Sequence, residues 1–364
     1  MNNSKIRVIQ ILACGNYGGA ERSVQWFAQE ADKTQFDYYF LFLYRGGTIR
    51  DAISSMGYPT AVLGWKNGYS LSGRLRLIKT MSKINPHLIH DHGMTPLSRI
   101  FMKLATKTPI ISTQHGFGFI KGNTIPFLRL DDSVTDLVIA NSNFTSQKYS
   151  LLFGRPMSKI KTIYLGINPD NYRDTTYTVP RTNDKKKMRI AFIGRMEEYK
   201  GALQIPLLAK ALLDKGEDFV INVVGDGPMM EKCKSLTSNL NVSDNVRYLG
   251  WKSNVAELLH KSDMLVFLSL LEESFGLVLI EALAAGVPVF AYSGGGVDEA
   301  IGNAPFSWVI PKGDYEQMAV LIGKNKELCL NCDKSAGYQY VKEKFNIRRY
   351  ILEIEQIYQE YSKK

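Results

Sequence analysis

At 364 residues the chain is too long for one typical core and long enough for two domains, and its 45% hydrophobic and 22% charged residues exclude a disordered or fibrous protein. Charge is uneven: 22 Lys and Arg face 12 Asp and Glu through residue 184, whereas the remainder holds 23 of each. The excess points to an anionic partner of the first half, such as a phosphate, an acidic glycan or a membrane surface, and no nucleic-acid-binding signature accompanies it, so nucleic acid is not an expected partner.

The N-terminal MNNSKIRVIQIL lacks the uninterrupted apolar core of a signal peptide and reads as a first strand over residues 6–12. A Gly-rich turn, GNYGGAE, leads into a helix near 20–31. YYFLFLY (38–44) is the next strand, followed by helices near 48–56 and 70–84. LIH (88–90), PIIST (109–113), LVIAN (137–141) and KTIYL (161–165) continue the alternation, which implies a parallel sheet covered on both faces. Residues 171–187 are polar and aperiodic and read as a linker. The pattern then restarts, with strands at 188–194, 219–225, 246–250, 264–269, 287–292 and 307–311. The final segment carries apolar residues at 351, 354 and 358 and reads as an amphipathic helix.

The expected fold is therefore α/β: two Rossmann-like doubly wound domains, 1–170 and 188–345, with a C-terminal helix over 346–364. Ligands in such sheets sit beyond the carboxyl ends of the strands, and a cleft between domains is the expected place. No window reaches the ~18 apolar residues of a membrane span, so a cytoplasmic protein is expected.

The residues with chemistry lie at predicted strand ends. IGRMEEYKG (193–201) places Gly194, Arg195 and Lys200 after the first strand of the second domain. Arg can grip a phosphate with two parallel bonds and Lys adds a point charge; pairing with Glu197 and Glu198 is the plain alternative. EESFGLVLIEALAAGVPV (272–289) sets Glu273 in a loop and Glu281 inside the following helix. Between them lie the first helix amides, near Gly276, Leu277 and Val278, which lack helical partners and favour anions. Two carboxylates flanking an anion site suit a ligand with hydroxyls on both sides of a diphosphate, namely a sugar nucleotide. Cys329 and Cys332 form a C-x-x-C without a second pair or nearby histidines and read as incidental thiols. IHDH (89–92) is a weak metal signal.

These motifs together resemble the retaining glycosyltransferases of family 4, which have the GT-B architecture. The second half carries IGRMEEYKG, VGDGP, YLGW, the Glu273-x7-Glu281 pair, AAGVPV and SGGGVDE (293–299). The first half carries GNYGGAER (15–22), TQHG (113–116), ANSNFT (140–145) and YLGIN (164–168). The last departs from the family, with Leu165 and Asn168 where Asn and Asp are frequent.

The resemblance implies roles. Arg195 and Lys200 would bind the donor diphosphate, and Glu281 the ribose. Glu273 would contact the donor sugar, and the amides after Phe275 and Gly276 would help bind phosphate and sugar. Gly18 and Gly19 would form a loop approaching the donor phosphate, and His115 would lie near the transferred sugar; on its own, His115 also fits a satisfied strand-end residue. Leu249, Gly250 and Trp251 would border the base, and the terminal helix would brace the first domain. The expected reaction is hexosyl transfer with retention from a UDP-sugar or GDP-sugar, the UDP-sugar favoured, to a saccharide or polyprenyl-linked acceptor in surface polysaccharide synthesis. No D-x-D occurs, and neither a metal nor another cofactor is expected.

A GT-B-like sugar-nucleotide epimerase and a non-catalytic glycan-binding partner remain as alternatives. For the helix over 70–85, Leu71, Leu75, Ile78 and Met81 are expected on one side and Arg74, Arg76, Lys79 and Lys83 elsewhere. The basic side would be either an ordinary solvated face or a peripheral contact with anionic lipid.

Overall fold

The computed structural model describes residues 5–363 except 17, 69, 94–96, 118–119, 121 and 174–186. Most of the expected linker, 174–186, and Tyr17 of the GNYGGAER motif lie outside the described residues. The chain forms two compact units, Met1–Ile167 with Ile347–Lys364, and Asn168–Asn346.

The first unit holds strands β1 (Ile6–Cys14), β2 (Phe36–Arg45), β3 (Thr60–Val62), β4 (Leu88–Asp91), β5 (Ile110–Gln114), β6 (Leu137–Ala140) and β7 (Ile160–Thr162). Its first six helices are α1 (Gly19–Glu30), α2 (Thr48–Ser55), α3 (Leu71–Ile84), α4 (Ser98–Ala105), α5 (Ile125–Ser133) and α6 (Asn143–Phe153). The strands pair in parallel in the order β3-β2-β1-β4-β5-β6-β7. The order reverses between β1 and β4, the place where a doubly wound sheet opens a crevice at its carboxyl edge. β3 escapes the sequence pattern because it is three residues long and half-exposed.

The second unit holds β8 (Met188–Ile193), β9 (Phe219–Val224), β10 (Val246–Gly250), β11 (Met264–Phe267), β12 (Val289–Tyr292) and β13 (Ser307–Ile310). Its helices are α7 (Gln204–Asp214), α8 (Met230–Asn239), α9 (Val255–His260), α10 (Leu277–Ala284), α11 (Val297–Ile301), α12 (Tyr315–Leu330) and α13 (Lys334–Lys344). Its strands are also parallel, in the order β10-β9-β8-β11-β12-β13, so β8 and β11 flank the reversal. Both sheets are the parallel doubly wound kind the sequence predicts.

The last helix, α14 (Ile347–Tyr361), belongs to the first unit. Its Ile347 N–H donates to the Ile167 carbonyl at 2.9 Å, joining the two stretches of chain that build that unit. Ile351, Ile354, Ile357 and Tyr358 are buried, as the apolar spacing predicts. The Glu355 carboxylate is buried with them and accepts bonds from Asp32 N–H at 2.9 Å and the Tyr38 hydroxyl at 2.8 Å. Those bonds satisfy a group that burial would otherwise penalise.

Two expectations need correction. Residues 171–173 are not linker: Pro169–Tyr172 form a short 3-10 helix of the second unit, and Tyr172 is buried. On α3 the faces are also rearranged. Leu71 and Leu75 are 65% and 59% exposed, whereas Arg74 is buried. The Arg74 guanidinium donates to the Gly68 carbonyl at 2.7 Å and lies 4.6 Å from the Phe101 ring centre. Such a side chain packs its long stem and satisfies its charge locally, which residue type alone does not reveal.

Candidate functional site

In the second unit, β8 ends at Ile193 and is followed by Gly194, whose N–H donates to the Val224 carbonyl at 3.0 Å. The chain then turns through Arg195 and buried Met196 into a 3-10 turn, Glu198–Lys200. The Tyr199 carbonyl accepts from Leu270 N–H at 2.9 Å and Leu271 N–H at 3.1 Å. The Ser269 oxygen lies 3.3 Å from that same carbonyl. Gly201 follows at φ +76°, and a Cβ there would lie 1.8 Å from the Leu268 carbonyl oxygen, so only glycine permits this approach. The loops after β8 and β11, the two strands at the reversal, are thus stitched together.

The stitching brings together residues far apart in sequence. The Lys200 ammonium meets Glu273 Oε1 at 2.6 Å, and the Ser269 hydroxyl donates to the same oxygen at 2.6 Å. The two charged side chains are 24% and 11% exposed, so their attraction is weakly screened. A third loop, after β12, closes on the same residue: Glu273 bridges in parallel with Gly295, and Gly296 N–H donates to the Glu273 carbonyl at 2.7 Å. The SGGGVDE motif is therefore the backing of Glu273.

Arg195 is half-exposed, and its guanidinium donates to the Tyr199 hydroxyl at 2.6 Å and lies 3.9 Å from Glu197. The Tyr199 phenol is pushed above its usual range chiefly by burial; Arg195 pulls it down, and Glu197 and Glu273 push it up.

Helix α10 starts after Phe275, which is buried, and Gly276, at φ +94°. That left-handed conformation is favourable only for glycine and turns the chain from loop into helix. Gly276, at the N-cap, has no side chain to cap the helix, and the Leu277 and Val278 amides lie where an α-helix concentrates positive potential. Glu281, one turn further on, is 1% exposed. Its Oε1 accepts from the Tyr172 hydroxyl at 2.8 Å, and the Tyr172 carbonyl accepts from His260 Nε2 at 2.7 Å.

Gly250 ends β10 at the sheet edge, its carbonyl accepting from Gly225 N–H at 3.0 Å; the neighbouring Trp251 and Leu249 are 55% and 37% exposed. In the first unit, Gly18 and Gly19 open α1 at the carboxyl end of β1, and His115 follows β5. His115 Nε2 is 3.1 Å from His92 Nδ1, and burial holds its ring down at about 4.

Sequence reasoning thus named Lys200 and Glu273 but missed their contact, along with Ser269, Tyr199 and Tyr172. Tyr199 lies inside IGRMEEYKG and could have been singled out. Tyr172 could not, because its polar neighbours resemble a linker. Among the described residues no group of His, Cys, Asp and Glu is placed to hold a metal. Cys329 is buried, and burial raises its thiol to about 12, far from a reactive thiolate.

Comparison with known proteins places this geometry. Residues 17–171 match the family model described as Glycosyltransferase Family 4, and residues 175–335 match that of Glycosyl transferases group 1. The N-acetyl-alpha-D-glucosaminyl L-malate synthase of Bacillus anthracis is 29% identical over 80% of this chain and 79% of its own length. The UDP-Gal:alpha-D-GlcNAc-diphosphoundecaprenol alpha-1,3-galactosyltransferase of Escherichia coli is 23% identical over 98% and 97%. The solved structure of Anabaena HepE with UDP and glucose superposes with a TM-score of 0.84 at 18% identity, covering 98% of this chain and all of that one. With two matches that together span most of its length, two parallel doubly wound sheets and the motif loops gathered at the reversal of the second, the chain belongs to the family 4 glycosyltransferases of GT-B fold.

Proposed function

We propose that the enzyme transfers a hexose, with retention, from a nucleotide diphosphate donor to a saccharide or polyprenyl-linked acceptor in surface polysaccharide synthesis. The observation that carries this reading is the Lys200–Glu273–Ser269 cluster at the start of the path into α10. A UDP-sugar is the favoured donor. The UDP bound to HepE and the UDP-galactose donor and diphosphoundecaprenol acceptor in the name of the Escherichia coli relative support that choice.

In this reading the departing diphosphate gathers negative charge in an oxocarbenium-like transition state. Lys200, Arg195 and the α10 amides stabilise that charge where it develops. Glu273, held by Lys200 and Ser269, contacts the donor sugar, and Glu281 contacts the ribose. His115 contacts the transferred sugar. The fixed cations do the electrostatic work of a metal, so none is required. Departing phosphate assists in deprotonating the acceptor on the same face of the sugar.

Attachment to a membrane surface is part of the proposal, supported by α3. Leu71 and Leu75 are exposed beside Arg76, Lys79 and Lys83, which are exposed as well. Among the described residues no helix is long and apolar enough to cross a membrane.

The test is incubation with radiolabelled UDP-glucose, UDP-galactose, UDP-N-acetylglucosamine or a GDP-hexose and lipid-linked saccharide acceptors. Labelled product with the anomeric configuration of the donor is expected. An epimerised free nucleotide sugar would establish the epimerase instead, and donor binding without turnover would establish a binding partner.

A further inference from the structure

Six polar residues of the first unit form one continuous hydrogen-bonded chain that ends at His115. Parallel register sets Gln10 of β1 opposite His90 of β4. Because strand side chains alternate, His90 and His92 fall on one face and Asp91 on the other. Asp91 is paired on its own face with Arg99 of α4 at 2.7 Å. On the histidine face, His115 Nε2 is 3.1 Å from His92 Nδ1, and His92 Nε2 is 2.7 Å from Gln10 Oε1. Gln10 Nε2 donates to the Tyr358 hydroxyl of α14 at 2.8 Å. That hydroxyl reaches His90 Nδ1 at 2.5 Å, and His90 Nε2 is 2.7 Å from Thr113 Oγ1. The His90 and His92 ring centres are 4.0 Å apart, and Gln10, His90, Thr113 and Tyr358 are at most 3% exposed.

The bonding roles in this chain are interdependent. The Gln10 amide nitrogen donates to Tyr358, so the Tyr358 proton goes to His90 Nδ1 and His90 donates from Nε2 to Thr113. The Gln10 carbonyl accepts from His92 Nε2–H. A neutral His92 then has a lone pair on Nδ1, which accepts from His115 Nε2–H. Turning the amide over would reverse every bond, so the orientation of one buried amide and the tautomers of three rings are a single state. Burial favours the neutral rings this requires: it holds His90 down at about 3 and His92 well below its usual range.

We propose that Gln10, His92 and Tyr358 are positioning residues that fix His115 as its Nε2–H tautomer, so that the C-terminal helix sets the hydrogen-bonding state of a ring at the carboxyl end of β5. The consequence for transfer rests on the assignment of His115 to the sugar; the tautomer itself does not. This accounts for His-x-His in IHDH without a metal, and it gives α14 a task beyond covering the sheet.

The test uses the full chain labelled with 15N and long-range 1H–15N spectra of its five histidine rings, assigned by single histidine substitutions. The wild type should show His115 with its proton on Nε2. Tyr358→Phe keeps the ring packing but removes the hydroxyl that orients Gln10. It should convert His115 to a tautomer mixture and lower kcat about three- to tenfold, with UDP binding unchanged. Gln10→Met should do the same. Gln10→Glu keeps an acceptor toward His92, so it should preserve the His115 tautomer while His90 switches to Nδ1–H. An unchanged His115 signal in folded Tyr358→Phe overturns the proposal, whatever the activity; should Gln10→Met not fold, that spectrum decides alone. His115→Ala separates the two ideas: wild-type transfer in that variant would refute the sugar contact, whereas the spectra judge the chain.

Discussion

Lys200→Ala removes the cation that holds Glu273, and its two effects can be separated. In the wild type, Lys200 Nζ and Glu273 Oε1 are 2.6 Å apart, with Ser269 on the same oxygen. Removing one partner of a fully buried pair costs about 3–5 kcal/mol, because a charge is left without compensation. Here Lys200 keeps about a quarter of its exposure, and Ser269 still donates to the carboxylate. We therefore expect about 2–3 kcal/mol of lost stability, read by urea unfolding monitored by circular dichroism. Lys200→Met combined with Glu273→Gln removes both charges, and the neutral amide still accepts from Ser269, so most of the lost stability should return. Turnover should not. A cation acting on the leaving diphosphate contributes to the transition state, so its loss should lower kcat by about 100-fold or more at saturating donor. Arg195→Ala should lower kcat similarly with little effect on stability, since Arg195 is half-exposed. Wild-type turnover in Lys200→Ala, or recovery of turnover with stability in the double variant, would show that the pair is structural and that Lys200 does not act on the diphosphate.

The two glutamates should part company in calorimetry. Glu281→Gln should weaken binding of bare UDP about tenfold, whereas Glu273→Gln should leave that binding within about twofold and reduce transfer; equal losses in both would contradict the assignment. Activity should survive EDTA within about threefold if fixed cations and helix amides act on the diphosphate as proposed; complete loss reversed by manganese or magnesium would overturn metal independence. Wild-type protein should co-sediment with liposomes containing anionic lipid at low salt and release as salt rises. Leu71→Ser, Leu75→Ser, Lys79→Glu and Lys83→Glu together should abolish that binding while UDP binding persists, and indifference of the wild type to anionic liposomes would end the membrane reading.

The alternation of apolar runs with helical periods made both sheets legible, because a strand buried on two faces is mostly apolar. The short edge strand β3 has no such constraint and stayed hidden. Candidate residues were legible where a motif joins several residue types at fixed spacing, as from Glu273 to Glu281. The contacts that tie motifs together were not. Lys200 and Glu273 meet because the Tyr199 carbonyl accepts two amides from the loop after β11, and backbone bonds leave no mark in residue type. Tyr172 is a further case: its hydroxyl on Glu281 depends on the short 3-10 helix Pro169–Tyr172 at the start of the second unit, inside a stretch whose composition reads as solvent-exposed.

Net charge shows how far composition can mislead. The surplus of basic residues in the first half suggested one anionic partner surface, yet several of those cations are committed inside the unit. Arg99 pairs with Asp91 and Arg155 with Asp132, both buried. Arg74 is buried against a carbonyl and aromatic rings, and Arg76 donates to the carbonyls of Leu63 and Gly64 at 2.6 and 2.9 Å. Arginine suits such work because it stays charged and offers several planar donors to backbone and carboxylate oxygens. Lysine, a strongly hydrated point charge, is left outside. On α3 the exposed lysines share their surface with two leucines that a helix designed only for solubility would not display. A surface contact through α3 would therefore depend on the pairing of exposed Leu71 and Leu75 with Lys79 and Lys83, and the total charge adds little to it.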